Sequence, residues 1–578
     1  MKNFKIEKDH IYVDGRPEKI VSGAMHYFRI HPDYWYDRLL KLRECGCNCV
    51  ETYVAWNLHE KKEGEFDFSG WLDLGKFIDM AEEMGLFVIV RPGPYICSEW
   101  DMGGLPWWLL KYRDIQLRCS HPLYLEKITP YLKRVCEIMR PRLITNGGCI
   151  IMVQVENEYG DVADDTAYME YVRDVLIAEG IDCDLFISTG ASRASLFTGV
   201  PEGVYASVNY RRESAEALTT LKKCYPDQPG MVMELWNGKA MHWGEEFLRR
   251  NVDEVAESVD KALEYGDLLN LYMFHGGTTF GFMNGANDFG KYVVQMSSYD
   301  VDAPLNEYGK RTSKYYAEQQ VICKWRKIAP QSTAKDPIIA TYSDIKYIGT
   351  APLSASFAKT PPRCISSVTP LSMEECDQGY GYIVYETTVH SFSDVATMTF
   401  TEIHDVAHIY VDGVYTKTIY RDDTDKTFRI GREGDVRISV LVENLGRVNA
   451  GWRIYDKKGL LGNIFANGYR QHFGYKMYPI PLDTLPETYD ADPVPNTPTF
   501  YKYVFNADKP QDTVLHPEGF TRGVAFINGF NLGRHWKIVC SDNKLFIPAP
   551  FIKEGENEIV IFDVLPSRAE KSIRLSEF

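Results

Sequence analysis

Between residues 20 and 285, eight short apolar runs alternate with helical patterns, and this alternation restricts the fold more than any other feature of the 578-residue chain. The runs are 20–27, 47–56, 86–91, 149–156, 185–189, 203–209, 231–234 and 269–275. Runs that are apolar on both faces are what parallel strands buried between helices require. The intervening stretches read as helices. Residues 33–44 put Trp35, Leu39 and Leu42 on one face, and residues 251–265 carry Val255, Val259, Ala262 and Leu263 at helical spacing. Eight strand–helix units in roughly 300 residues predict a closed (β/α)8 TIM barrel, an α/β fold, rather than an open sheet.

After about residue 330 helical periodicity stops, and short β-rich runs alternate with Gly, Asp, Asn and Pro turns. Two passages resemble each other. AHIYVDGV at 407–414 is followed by VRISVLVE at 436–443; VAFINGF at 524–530 is followed by ENEIVIFDV at 556–564. Each is a strand, an Asp-Gly or Asn-Gly hairpin turn, then further strand. The pattern predicts two all-β sandwich (jelly-roll) domains, with the Pro-rich stretch 478–498 between them. The expected domains are the barrel at 1–330, a first sandwich at 331–480 and a second at 481–578.

A net charge of −16 argues against binding nucleic acid. The N-terminal MKNFKIEKDHIYVDG has no apolar core of a secretory signal, and no run of 18 apolar residues predicts a membrane span. The 13 cysteines form no CxxC pair. Cys45, Cys47 and Cys49 read as small buried side chains rather than metal ligands. Free thiols in a chain without a leader predict a cytoplasmic protein.

The chemistry is carried by two strand ends. CIIMVQVENEYG at 149–160 starts as a buried strand and breaks into Glu156, Asn157 and Glu158; Gly230-Met231-Val232-Met233 runs likewise into Glu234. In a barrel, residues after the strands form the active rim, so Glu158 and Glu234 are expected over one mouth. The neighbouring rim segments are polar, aromatic and Gly-rich: RPGPYICSEWDMGGLPWW, MELWNGKAMHWG and HGGTTFGFMNGAN. Two carboxylates flanking one bond are the machinery of glycoside hydrolysis, with one protonated and one ionised. Glu156 is expected to support Glu158 from the same strand face, one step deeper. His26, His59, His242 and His275 lie near strand ends without metal-ligand spacing, and no P-loop or GxSxG motif is present. No metal and no cofactor is expected.

SGAMHYFRI, ETYVAWNLHE, RPGPYICSEWDMGGLPWWLL, QVENEYG, HGGTTFGFMNGAN, SSYDVDAPLNEYG, LVENLGRVN and INGFNLGRHW together resemble glycoside hydrolase family 35, the β-galactosidase family, nearly end to end. The resemblance implies a retaining exo-β-glycosidase that hydrolyses terminal β-D-galactosyl residues of oligosaccharides, with a galactose-binding-like second sandwich. It implies Glu158 as acid/base and Glu234 as nucleophile. Asn157 would hold the sugar 2-hydroxyl, and Tyr53, Cys97, Ser98, Glu99 and Tyr299 the nonreducing sugar. Trp236 fits the family's aromatic two positions after the nucleophile. Lys239 stands where that family has Trp, and Val301 replaces a Tyr of the sugar pocket. Both departures raise an alternative: the same mechanism on a β-glucoside, aminosugar or arabinoside, or a transglycosylase. A different class, a non-catalytic sugar-binding protein, is disfavoured because Glu158, Asn157 and Glu234 are all retained. The expected partners are a glycoside substrate and a second copy of the chain in a homodimer.

Overall fold

A computed structural model describes residues 3–359, 361–538 and 543–577. Eight parallel strands close into a barrel: β1 Ile20–Met25, β2 Cys49–Tyr53, β3 Phe87–Arg91, β4 Ile150–Gln154, β5 Asp184–Gly190, β6 Tyr205–Tyr210, β7 Met231–Trp236 and β8 Leu268–His275. Each predicted run holds one of these strands. β2, β3 and β4 are buried along their whole length, because helices cover the outside and side chains fill the inside.

The helices follow the apolar stripes. Trp35–Glu44 buries Trp35, Leu39 and Leu42. Val252–Tyr265 buries Val255, Val259, Ala262 and Leu263, and starts where the Asn251 side chain accepts from the Asp253 and Glu254 amides. Three strands, β1, β2 and β4, end earlier than the apolar pattern suggests. β1 stops at Met25 because residues 27–29 curl into a 3-10 turn that buries Tyr27, Phe28 and Arg29. β4 stops at Gln154 because Glu156 and Glu158 adopt left-handed backbone, with φ of 56° and 48°.

Two sandwiches follow, and they repeat one topology. In the first, Tyr382–Ser391 pairs with Gly434–Glu443, which pairs with Val406–Val411, which pairs with Val414–Tyr420. In the second, Thr499–Ala507, Gly555–Asp563, Arg522–Ile527 and Phe530–Trp536 follow the same order. The hairpin turns are Asp412-Gly413 and Asn528-Gly529, with all four φ values positive, as a two-residue turn of matching twist requires. One strand departs from the expected 331–480 boundary. Lys346–Pro352 pairs with Thr499–Ala507, so it belongs to the second sandwich, and the first sandwich is inserted between that strand and the rest of its sheet. The Gly/Pro-based boundary missed this because a lone edge strand carries no turn signal of the domain it joins.

The sandwiches are fastened to the barrel by the two Asn-Leu-Gly-Arg segments. Arg447 is fully buried, donates to Glu374 at 2.5 Å and lies 3.5 Å from Asp101 of the barrel, whose carboxylate also accepts from the Arg447 amide at 2.7 Å. Arg534 donates to Asn284 of the barrel at 2.8 Å and to the Asn444 carbonyl of the first sandwich at 2.6 Å. A rim strand after β8, Ala286–Asp288, pairs in parallel with Val448–Gly451 of the first sandwich. Barrel and sandwich thus share a sheet.

Removing Arg447 strands Asp101 and Glu374 as buried charges. Arg447→Ala is expected to destabilise the protein by about 3–5 kcal/mol, read as a lower urea midpoint. An unchanged midpoint would show that this ion cluster is dispensable.

Candidate active site

The register between β6 and β7 positions the two carboxylates. β7 slips relative to β6 between Val232 and Glu234, which brings Glu234 opposite Asn209. The Asn209 amide in turn donates to Glu158 Oε1 at 2.9 Å, across from β4. Glu158 is also held by its backbone amide, which donates to the Ser188 carbonyl at the end of β5. Glu158 and Glu234 therefore face one cavity of about 360 Å³ at the carboxyl rim. That volume falls in the range of small-ligand sites.

The cavity brings together Tyr53, Cys97, Ser98, Glu99, Asn157, Glu158, Glu234, Trp236, Lys239 and Tyr299, every site residue expected from the sequence. Beneath it lies Arg91, fully buried at the end of β3. Its guanidinium forms an ion pair with Glu234 Oε1 at 2.7 Å, donates to Asn157 Oδ1 at 2.7 Å and to Gln154 Oε1 at 2.6 Å, and stacks 4.1 Å from the Tyr53 ring. A second carboxylate, Glu51, sits 3.8 Å away on β2; burial pushes it up to about 7, against the pull of Arg91. Glu234 also accepts from Tyr53 at 2.9 Å and from the Trp236 indole at 2.8 Å. Two donors and an adjacent guanidinium stabilise negative charge on Glu234.

Glu158 is held differently. One neutral amide donates to it, while burial and then the charge of Glu234 push it up to about 8. Two carboxylates share a cavity, and their surroundings treat them oppositely. Asn157 has its oxygen occupied by Arg91 and Gln154, whereas its buried Nδ2 has no partner. An amide fixed on one side with an idle donor on the other is arranged to meet a ligand oxygen.

The opposite wall is built on strained backbone. Cys97, Ser98 and Glu99 are consecutive left-handed residues, with φ of 54°, 56° and 50°. Arg29 holds that turn, donating to Ser98 Oγ at 2.8 Å and to the Ser98 carbonyl at 2.5 Å. Glu99 accepts from the Tyr299 hydroxyl, and burial pushes its carboxyl up. The Cys97 thiol is also pushed up by burial, to about 12, so it stays a thiol.

Both family departures face the cavity. Lys239 lies 3.0 Å from Glu245, so its charge is compensated rather than presented bare. Val301 lines the cavity with an apolar side chain, on backbone at φ 46°. Glu156 does not share a face with Glu158, as strand alternation predicts; the left-handed turn redirects it to Arg118 at 2.8 Å and to the Tyr168 hydroxyl at 3.0 Å. The four rim histidines bind protein groups or lie buried: His26 contacts Arg29, His59 contacts Tyr27, His242 contacts Glu245 and Gln295, and burial pushes His275 down. Among the described residues no three His, Cys, Asp or Glu side chains could hold a metal ion.

Sequence reading missed Arg91, Asn209, Arg211, Tyr272 and Asn287. Arg91 and Asn209 end β3 and β6, so the strand-end rule could have found them. Tyr272 and Asn287 give no such signal.

Residues 10–325 match the model described as glycosyl hydrolases family 35, more than half of the chain. Residues 370–481 match that of the β-galactosidase first all-β domain, and 498–557 that of the β-galactosidase galactose-binding domain. The chain is 37% identical to human β-galactosidase-1-like protein 2, covering 97% of this chain and 88% of that protein. It is 36% identical to the β-galactosidase of Bos taurus, covering 97% and 91%. Against β-galactosidase 17 of Arabidopsis thaliana the identity is 34%, covering 99% and 88%.

Proposed function

The chain belongs to glycoside hydrolase family 35, and from that premise and the cavity's geometry we propose that it is a retaining exo-β-galactosidase. The observation that carries the reading is the contrast between the two carboxylates: Glu234 accepts from Tyr53 and Trp236 and lies 2.7 Å from the Arg91 guanidinium, while Glu158 is raised to about 8.

In the first step Glu234 attacks the anomeric carbon as Glu158 gives its proton to the departing oxygen. In the second, Glu158 takes a proton from water, which attacks the same carbon and releases Glu234. Two inversions return the starting configuration. The idle Asn157 Nδ2 is placed to donate to the sugar 2-hydroxyl, and the Glu99–Tyr299 wall to hold hydroxyls farther round the ring.

Val301 and Lys239 favour a second reading with the same mechanism, in which another β-glycoside or a sugar acceptor is used. Where the family has two rings, this cavity offers a valine and a compensated lysine. A panel of nitrophenyl β-glycosides, assayed with and without sugar acceptors, decides between them; the galactoside is expected to give the highest kcat/KM, with free galactose as product.

The raised Glu158 sets the alkaline limit. Protonated acid is needed, so kcat/KM on an alkyl galactoside should fall about tenfold per pH unit above the Glu158 value of about 8. A profile flat through pH 10 would remove Glu158 from that role. Glu234→Ala should lower turnover by at least about 10⁴-fold, with azide restoring part of it as the inverted glycosyl azide. Azide product of retained configuration would contradict Glu234 as nucleophile.

A further inference from the structure

The cavity's walls differ in charge. Glu99, Tyr299 and Tyr53 line the cavity with carboxylate and hydroxyl groups, and Arg211 lines it with a guanidinium. Arg211 follows β6 directly, two residues beyond the Asn209 that donates to Glu158. It therefore lies on the proton donor's side, where the leaving group departs.

Other arginines around the rim are engaged. Arg91 lies 2.7 Å from Glu234, Arg118 2.8 Å from Glu156 and Arg212 3.1 Å from Glu254, while Arg250 donates to the Trp236 carbonyl at 2.7 Å. Arg211 differs. Its guanidinium has neither a hydrogen-bond nor an ion-pair partner among the described residues. Lys239 on the neighbouring loop is held by Glu245, which leaves Arg211 as the uncompensated cation of the cavity. An unpaired guanidinium lining a cavity is arranged for an anion that arrives with the substrate.

We propose that the leaving-group side of this cavity receives an anionic group, a carboxylate or sulfate on the sugar to which the terminal galactosyl residue is attached, with Arg211 as its receptor. The inference rests on the β-galactosidase reading and narrows its substrate class. The planar fork of Arg suits the paired oxygens of either anion.

The test compares four galactosyl disaccharides, in which the leaving sugar is glucose, glucuronate, N-acetylglucosamine or its 6-sulfate. At low salt at least one charged member is expected to have about tenfold higher kcat/KM than its neutral parent. Added salt should shrink that ratio. A preference for glucuronate alone identifies a uronate, and one for the 6-sulfate alone a sulfated sugar; both uphold the proposal. Arg211→Gln should bring the charged-to-neutral ratio close to one, and Arg211→Lys should retain part of it. Equal rates on charged and neutral members, or a ratio unchanged in Arg211→Gln, overturns this inference and leaves the galactosidase reading standing. Failure to cleave any of the four, or nitrophenyl β-galactoside, overturns that reading itself.

Discussion

A single guanidinium sealed beneath the cavity governs the charge state of the site. Arg91 is fully buried, so its positive charge must be balanced locally, and two carboxylates stand within reach of it. Burial pushes Glu51 up to about 7, against the pull of Arg91. Glu234 lies closest to it, in an ion pair at 2.7 Å, and also accepts from Tyr53 and Trp236. The same guanidinium fixes the Asn157 side chain and with it the direction of the idle amide donor. One buried cation thus orients a nucleophile and a hydrogen-bond donor together, without water having to reorganise as charge moves.

Backbone strain is concentrated around the same mouth. Cys97, Ser98, Glu99, Glu156, Glu158, Val301 and Asp302 all hold left-handed backbone. Each costs of the order of 1–3 kcal/mol and persists only where neighbours over-determine it. Those neighbours are visible: Arg29 grips the turn at Ser98, Arg118 grips Glu156, and Lys314 and the Arg250 amide grip Asp302. Val301 is the most unusual, since a β-branched residue is disfavoured there. Its position is set by Asp302 and not by any comfort of its own.

The barrel was legible in the sequence because parallel strands under helices must be apolar throughout, and eight such runs leave few alternatives. Glu158 and Glu234 were legible for a related reason: a charge at the end of a buried strand stands out against the apolar run before it. Glu156 was placed on the wrong face because period-two alternation ends with the strand, and the left-handed turn that redirects it leaves no mark in composition. Arg211 went unnoticed because a cation near a strand end normally finds an acid, and only coordinates show that this one does not. Lys239 was visible as a departure, yet its pairing with Glu245 depends on a loop path that spacing does not fix. Tyr272 sits inside β8 among apolar neighbours, where a tyrosine reads as core.

The insertion of one sandwich into the other has a consequence for how the molecule is made. Lys346–Pro352 leaves the ribosome before the whole first sandwich, but its partner Thr499–Ala507 follows only after that sandwich is complete. During elongation the early strand is an unpaired edge, open to wrong pairing with any extended segment nearby. Lys346 at its start, together with the fast-closing local hairpin Val406–Tyr420 that follows, disfavours such capture. The C-terminal sheet is thereby the last part of the polypeptide able to close.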